Sequence, residues 1–122
     1  MKIAGKIKAD IFHNGKLLRT TSSTSVSGDS NHFQSTDSAT RTSVSMSFVP
    51  AIEDGTTTYK FEEADSRFGC SMGDMLLPVA GTVEVTSANS TDNLKYSFSG
   101  KFNDGRRDLE IKGTAELNYL YP

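Results

Sequence analysis

The sequence is short of the residues from which most catalytic and metal sites are built. Its 122 residues include no tryptophan, two histidines and one cysteine. The lone thiol of Cys70 cannot close an internal disulfide, and it stands among small and apolar residues that favour a packed, inert thiol. Without tryptophan the chain also lacks the commonest platform for stacking sugars. We therefore expect a protein that is not an enzyme and that has neither a cofactor nor a metal site.

Strong charge and long apolar runs are missing as well. Thirteen basic and fifteen acidic side chains give a formal net charge of -2, and both signs are interspersed along the chain. No basic stripe is available to replace the counterions of a nucleic acid, so we expect no nucleic-acid partner. No apolar run is long enough for a transmembrane segment, and the N-terminal residues 1–12 lack the apolar core of a signal peptide. The pattern predicts one soluble domain over residues 1–122, with its compartment left open.

The first 27 residues predict a β-hairpin. Apolar and polar residues alternate over residues 2–12, which is the period of a strand with one wet face. Asn14-Gly15 follows, the pair that best fits a two-residue type I′ turn. In that register Ile11 opposes Leu18, and the serine- and threonine-rich residues 20–27 form the returning strand rather than a linker. Side chains of this strand at even numbers, Thr20 among them, would then face the core.

Period-two alternation recurs further along the chain and predicts five more strands. They cover residues 40–48, 56–63, 81–87, 94–102 and 109–121. Residues 28–39 are rich in turn-forming side chains and predict a loop whose order is left open. Residues 64–81 contain two internal glycines and a proline, and predict a packed connection with a short helical turn around Met72–Leu77. About seven short strands without a helical stripe predict an all-β protein, an antiparallel sandwich or small barrel rich in hairpins.

Three constellations could form a catalytic or binding site, and each has a plainer interpretation. A thiol site of Cys70, His32 and Asp37 would require three distant segments to converge, so a packed thiol and exposed loop side chains are favoured. Glu62, Glu63 and Asp65 could ligate a hard cation together with Asp74, but no ligand spacing recurs, so solvated charges are favoured. The Ser and Thr faces of the strands could form a hydroxyl array that binds ice, sugar or a partner sheet. Without a sequence repeat, a solvated outer face is favoured.

The C-terminal third of the chain has a recognisable pattern. GTVEVTSANSTDNLKYSFSGKF followed by LEIKGTAELNY combines an alternating strand, a polar turn and a Gly-x-Phe strand. In this respect residues 81–119 resemble the closing strands of small β-sandwich lipoproteins exported by some Gram-negative bacteria. The resemblance implies a sandwich fold and supplies no catalytic residues. The lipobox cysteine and signal of those proteins are missing from this sequence.

Two functions are consistent with these expectations. The first is a non-catalytic interaction or assembly protein, such as an envelope, surface or virion component, which associates with a protein partner or with itself through exposed strand edges and loops. The predicted edges are the first hairpin and the C-terminal strand, which ends in Leu120-Tyr121. The second is a small barrel that binds an apolar small molecule or lipid in its mouth. Its lining would be the six aromatic residues Phe48, Tyr59, Phe61, Tyr96, Phe98 and Phe102.

Overall fold

The computed structural model describes residues 2–121, which form eleven strands. The strands are β1 (Lys2–His13), β2 (Lys16–Ser23), β3 (Val26–Gly28), β4 (His32–Asp37), β5 (Thr42–Ser47), β6 (Gly55–Phe61), β7 (Phe68–Met72), β8 (Met75–Pro78), β9 (Ala80–Ala88), β10 (Asn93–Asn103) and β11 (Asp108–Leu120). One 3-10 turn, Glu63–Asp65, lies between β6 and β7. Within the described residues no helix is long and apolar enough to cross a membrane.

The strands form two antiparallel sheets. The larger sheet has six strands in the order β2-β1-β11-β10-β9-β6, and the smaller sheet has five in the order β3-β4-β5-β7-β8. The sheets are not closed into a barrel, so the predicted all-β antiparallel fold is confirmed in its sandwich form. The segments between the strands are rich in turn-forming residues. They allow short connections, and a short connection places consecutive strands side by side and antiparallel.

The core lies between the sheets because each strand alternates apolar and polar side chains. On β10 the side chains of Leu94, Tyr96, Phe98 and Phe102 point inward and are buried, as their spacing predicts. On β11 the buried apolar residues are Leu109, Ile111, Ala115 and Leu117. Each large apolar side chain buried in this way contributes about 1.5–3 kcal/mol relative to exposure.

The predicted loop over residues 28–39 is wrong for residues 32–37, which form the ordered strand β4. Phe33, Ser35 and Asp37 alternate inward and are buried, while the side chains between them are exposed. Two of the three inward residues are polar, so the alternation is invisible to a search for apolar periodicity. Adjacent β3 pairs with β4 from Val26 to Gly28.

The helical turn predicted around Met72–Leu77 is also wrong. These residues form the β7–β8 hairpin, in which Met72 opposes Met75 across a turn at Gly73, where φ is +78°. Glycine reaches this conformation without the strain that a side chain would add. After Pro78 the chain passes from the smaller sheet directly into β9 of the larger one.

The first hairpin contains a β-bulge that the sequence did not predict. His13 opposes Lys16 and Phe12 opposes Leu17, as expected, but Ile11 opposes Arg19 rather than Leu18. The extra residue moves every later side chain of β2 to the opposite face. The predicted inward position of Thr20 is therefore wrong, and Thr21 is the buried threonine.

Candidate functional site

Four strands lie at the edges of the two sheets. They are β2 and β6 in the larger sheet and β3 and β8 in the smaller one. The predicted edge at the first hairpin is confirmed as β2. The predicted edge at the C-terminal strand is wrong, because β11 pairs with both β1 and β10 along its length.

The β2 edge is tied to the smaller sheet by a network that we call the polar flank. At its centre the Asp37 carboxylate accepts hydrogen bonds from the Thr21 hydroxyl at 2.6 Å and the Thr40 hydroxyl at 2.9 Å. The Ser22 amide also donates to this carboxylate, at 3.2 Å. Hydrogen bonds from Thr21 and Thr40 lower the pKa of Asp37 from 3.8 to about 2. The serine- and threonine-rich second strand thus supplies donors for a carboxylate between the sheets.

The two edges of the smaller sheet are short. β3 has three residues. The side chain of its first residue, Val26, packs against Gly5 of β1, so closely that a methyl group on Gly5 would overlap the valine. β8 has four residues and ends in Pro78, which has no N–H to offer a further strand. Short edges and proline are common means of preventing unwanted strand pairing.

The fourth edge, which we call the β6 edge, is the side of Gly55–Phe61 that faces away from β9. β6 pairs with β9 over all seven residues without a register shift. It contains no proline, and residues 55–58 are all exposed. In the described part of the chain no backbone hydrogen bond joins this edge to a segment other than β9. Because alternate residues of an edge strand direct N–H and C=O groups outward, the β6 edge offers a regular hydrogen-bonding row.

Aromatic rings support β6 from inside the sandwich. The Tyr59 ring lies 4.9 Å from that of Phe48, and the Phe61 ring lies 5.6 Å from that of Phe68. The Tyr59 hydroxyl donates to the Pro50 carbonyl at 3.0 Å. These contacts hold the strand in place and so fix the positions of its outward backbone groups.

The residue before β6 fixes the start of the strand. The Asp54 carboxylate accepts hydrogen bonds from the Ser90 amide at 2.8 Å, the Thr91 amide at 2.9 Å and the Ser87 hydroxyl at 3.0 Å. The amides of Thr91 and Ser90 and the hydroxyl of Ser87 lower the pKa of Asp54. The carboxylate therefore joins β6 to the turn between β9 and β10.

The six aromatic residues predicted to line a ligand site all lie in the core. Phe48 stands between three of them, with its ring 4.9 Å from Tyr59, 5.9 Å from Tyr96 and 6.2 Å from Phe61. The Phe98 ring packs edge-on against Phe68 at 6.0 Å, and Phe102 is also buried. The rings contact one another across the interface between the sheets. A ligand-lining role for them stays a prediction.

The candidate thiol site does not assemble. Cys70 is fully buried, and burial raises the pKa of its thiol to about 12. His32 and Asp37 lie at opposite ends of β4, about 16 Å apart along an extended strand. The His32 ring lies 3.1 Å from the Asp29 carboxylate. Residues 2–121 bring together no group of three His, Cys, Asp or Glu side chains suited to a metal ion.

Comparisons of this chain with protein-family models, curated proteins and solved structures found no match.

The β6 edge is the feature that sequence reasoning missed. TTTYKF reads as an ordinary alternating strand, and only the strand order reveals that it has one neighbour. The arrangement suits backbone hydrogen bonding to an extended segment, with the Thr56, Thr58 and Lys60 side chains beside it.

Proposed function

We propose that this protein is a non-catalytic interaction or assembly module that adds a strand of another chain to its β6 edge. The observation that carries the proposal is the seven-residue β6 edge, which is regular, exposed and without proline. Strand addition supplies affinity through main-chain hydrogen bonds and specificity through alternate side chains.

The other three edge strands are less suited than β6 to pairing with a strand of another chain. β2 is bulged and tied to the smaller sheet, β3 has three residues, and β8 ends in proline. Each of these features limits pairing with another chain. On β6 the one charged side chain is Lys60, near the C-terminal end of the strand.

One feature supports placing this activity at an envelope or surface or in a virion. Residues 81–119 resemble the closing strands of exported β-sandwich lipoproteins. The corresponding segment forms β9, β10 and most of β11. We propose this placement together with the assembly function.

A fluorescent peptide with the β6 sequence, GTTTYKF, tests strand addition. Its three threonines and two aromatic residues favour an extended conformation. The protein should bind it saturably below 1 mM, measured by fluorescence anisotropy. A control peptide carrying N-methyl groups at the positions of Thr57, Thr58 and Tyr59 loses the central backbone donors on both of its edges, and the methyl groups obstruct strand pairing, so it should bind at least about tenfold more weakly. Equal binding of the two peptides, or no binding of either, would overturn the proposal.

Two lysine variants locate the binding. Thr58 on β6 and Ser97 on β10 both oppose Glu84 of β9, one on each side of it, and both are exposed. Thr58→Lys adds a second positive charge to the β6 edge and should weaken binding of the lysine-containing peptide by about fivefold. Ser97→Lys adds the same charge within the sheet and should change binding by less than about twofold. Equal effects of the two variants would place the peptide elsewhere.

A further inference from the structure

A groove distinct from the β6 edge lies at one end of the sandwich. It has a volume of about 440 Å³, and we call it the arginine groove. Three arginines from separate segments reach it: Arg19 on β2, Arg41 before β5 and Arg107 in the turn before β11. Apolar side chains from β7 and β8 line another part, namely Met72, Met75 and Leu77. Its volume falls within the range of small-molecule sites.

The three guanidinium groups are not equally available. Asp104 also lines the groove, and Arg107 makes two hydrogen bonds to its carboxylate, at 3.0 and 2.8 Å, so these two charges balance each other. Arg41 lies 3.2 Å from Asp74, and both of these side chains are highly exposed. An exposed pair of this kind is weak and can exchange its partner.

Arg19 is held in place without a carboxylate. Its Nη1 donates to the Thr40 carbonyl and to the Thr42 hydroxyl, each at 3.1 Å. Among the described residues, no acidic group lies within ion-pair distance of it. Its Nε and Nη2 groups make no hydrogen bond within residues 2–121. A fixed guanidinium with unused donors suits a carboxylate, which can accept two hydrogen bonds from it.

The backbone of Arg41 is in the left-handed conformation, with φ of +54°, which is uncommon for a residue with a long side chain. Its carbonyl accepts a hydrogen bond from the Gly73 amide at 2.9 Å. This bond joins the turn before β5 to the turn between β7 and β8. The Arg41 side chain and the methionines that flank the second turn are therefore held at the same groove.

We infer that the arginine groove binds a small amphiphile with a carboxylate head and a short apolar chain. The head lies against Arg19 and Arg41, where the positive charge of Arg19 is unbalanced. The chain covers the apolar side chains, of which Met75 is 60% exposed in the free protein. Burial of this methionine and of the chain adds an apolar contribution to the charged contact.

Titration with octanoate, followed by amide chemical shifts, tests the inference. Octanoate should bind in the millimolar range or tighter and shift the amides of Thr40, Gly73 and Met75. Acetate, which lacks the chain, and octyltrimethylammonium, which reverses the charge, should each bind at least about fivefold more weakly. Equal binding of octanoate and the ammonium compound, or shifts confined to other regions, would overturn the inference. So would preferential binding to anionic phospholipid vesicles over octanoate.

A pair of arginine variants provides the matched control. Arg41→Gln removes a cation from the groove while the Arg41 side chain is largely exposed, so the fold should survive. Octanoate affinity should fall by at least about fivefold. Arg106→Gln removes an exposed arginine that does not line the groove and should change affinity by less than about twofold. Equal affinities in the two variants would contradict a role for Arg41.

Discussion

The two outer strands of the larger sheet are supported in different ways. On the polar flank, hydroxyl and amide groups of β2 donate to Asp37, so the edge is tied to the smaller sheet. On the other side, β6 is supported from inside by aromatic rings while its outward backbone groups stay unpaired with the rest of the described chain. Threonines occur on both strands. Whether they bind a carboxylate or face solvent depends on the neighbouring strand, not on the local sequence.

The largest expected effect comes from removing the aromatic support of β6. Phe48 is fully buried and contacts both Tyr59 and Tyr96. Phe48→Ala should lower the free energy of unfolding by about 3–5 kcal/mol, measured by urea denaturation, because it leaves a cavity between the sheets. The neighbouring Val49 is 64% exposed. Val49→Ala should cost less than about 0.5 kcal/mol, and similar losses in the two variants would contradict a packed aromatic interface.

A smaller effect should follow from removing one hydroxyl of the polar flank. Thr21 is buried and donates to Asp37, whereas adjacent Thr20 is on the exposed face and donates to Asp10 at 2.7 Å. Thr21→Val should cost about 1.5–3 kcal/mol in urea denaturation, since a buried hydrogen bond to a charged group is lost. Thr20→Val should cost less than about 1 kcal/mol. The reverse order would mean that the bulge is absent and that Thr20 faces the core.

The polar flank should also be more sensitive to acid than the aromatic support of β6. The pKa of Asp37 is about 2 in the folded protein, below the value near 3.9 of an unfolded aspartate. Its ionised form therefore stabilises the fold above about pH 4, and this contribution is lost as the pH falls towards 2. Asp37→Asn should reduce proton uptake on unfolding near pH 3 by up to about one proton, measured from the pH dependence of urea denaturation. The Asp104 carboxylate, whose pKa is also about 2, and the Asp54 carboxylate, whose pKa is also lowered, should keep part of the dependence. An unchanged pH dependence in the variant would contradict the network.

Local patterns in the sequence predict much of the fold. The Asn14-Gly15 turn, the first strand and the three long C-terminal strands follow from alternation and turn chemistry, and all are found. β4 escaped prediction because Ser35 and Asp37 are polar residues that point inward. The bulge opposite Ile11 has no glycine to mark it, so nothing in the sequence shows where the register changes.

The candidate edge was harder to predict than the strands themselves. Sheet order depends on pairings between distant segments, such as β1 with β11, which local alternation does not encode. The C-terminal strand, with its apolar end, therefore looked like an edge although it lies at the centre of the larger sheet. β6 contains Thr, Tyr and Phe like the other strands, and its single neighbour becomes visible only when the order is known.

Amide hydrogen exchange of β6, followed residue by residue by NMR with and without the GTTTYKF peptide, tests the central claim most directly. In the free protein, amides of Gly55–Phe61 that pair with β9 should be protected, and those that point outward should exchange rapidly. Saturating peptide should slow the outward amides by at least about tenfold and leave those of β2 and β8 unchanged. Outward amides that are already protected in the free protein, or peptide-induced protection confined to another edge, would contradict the account.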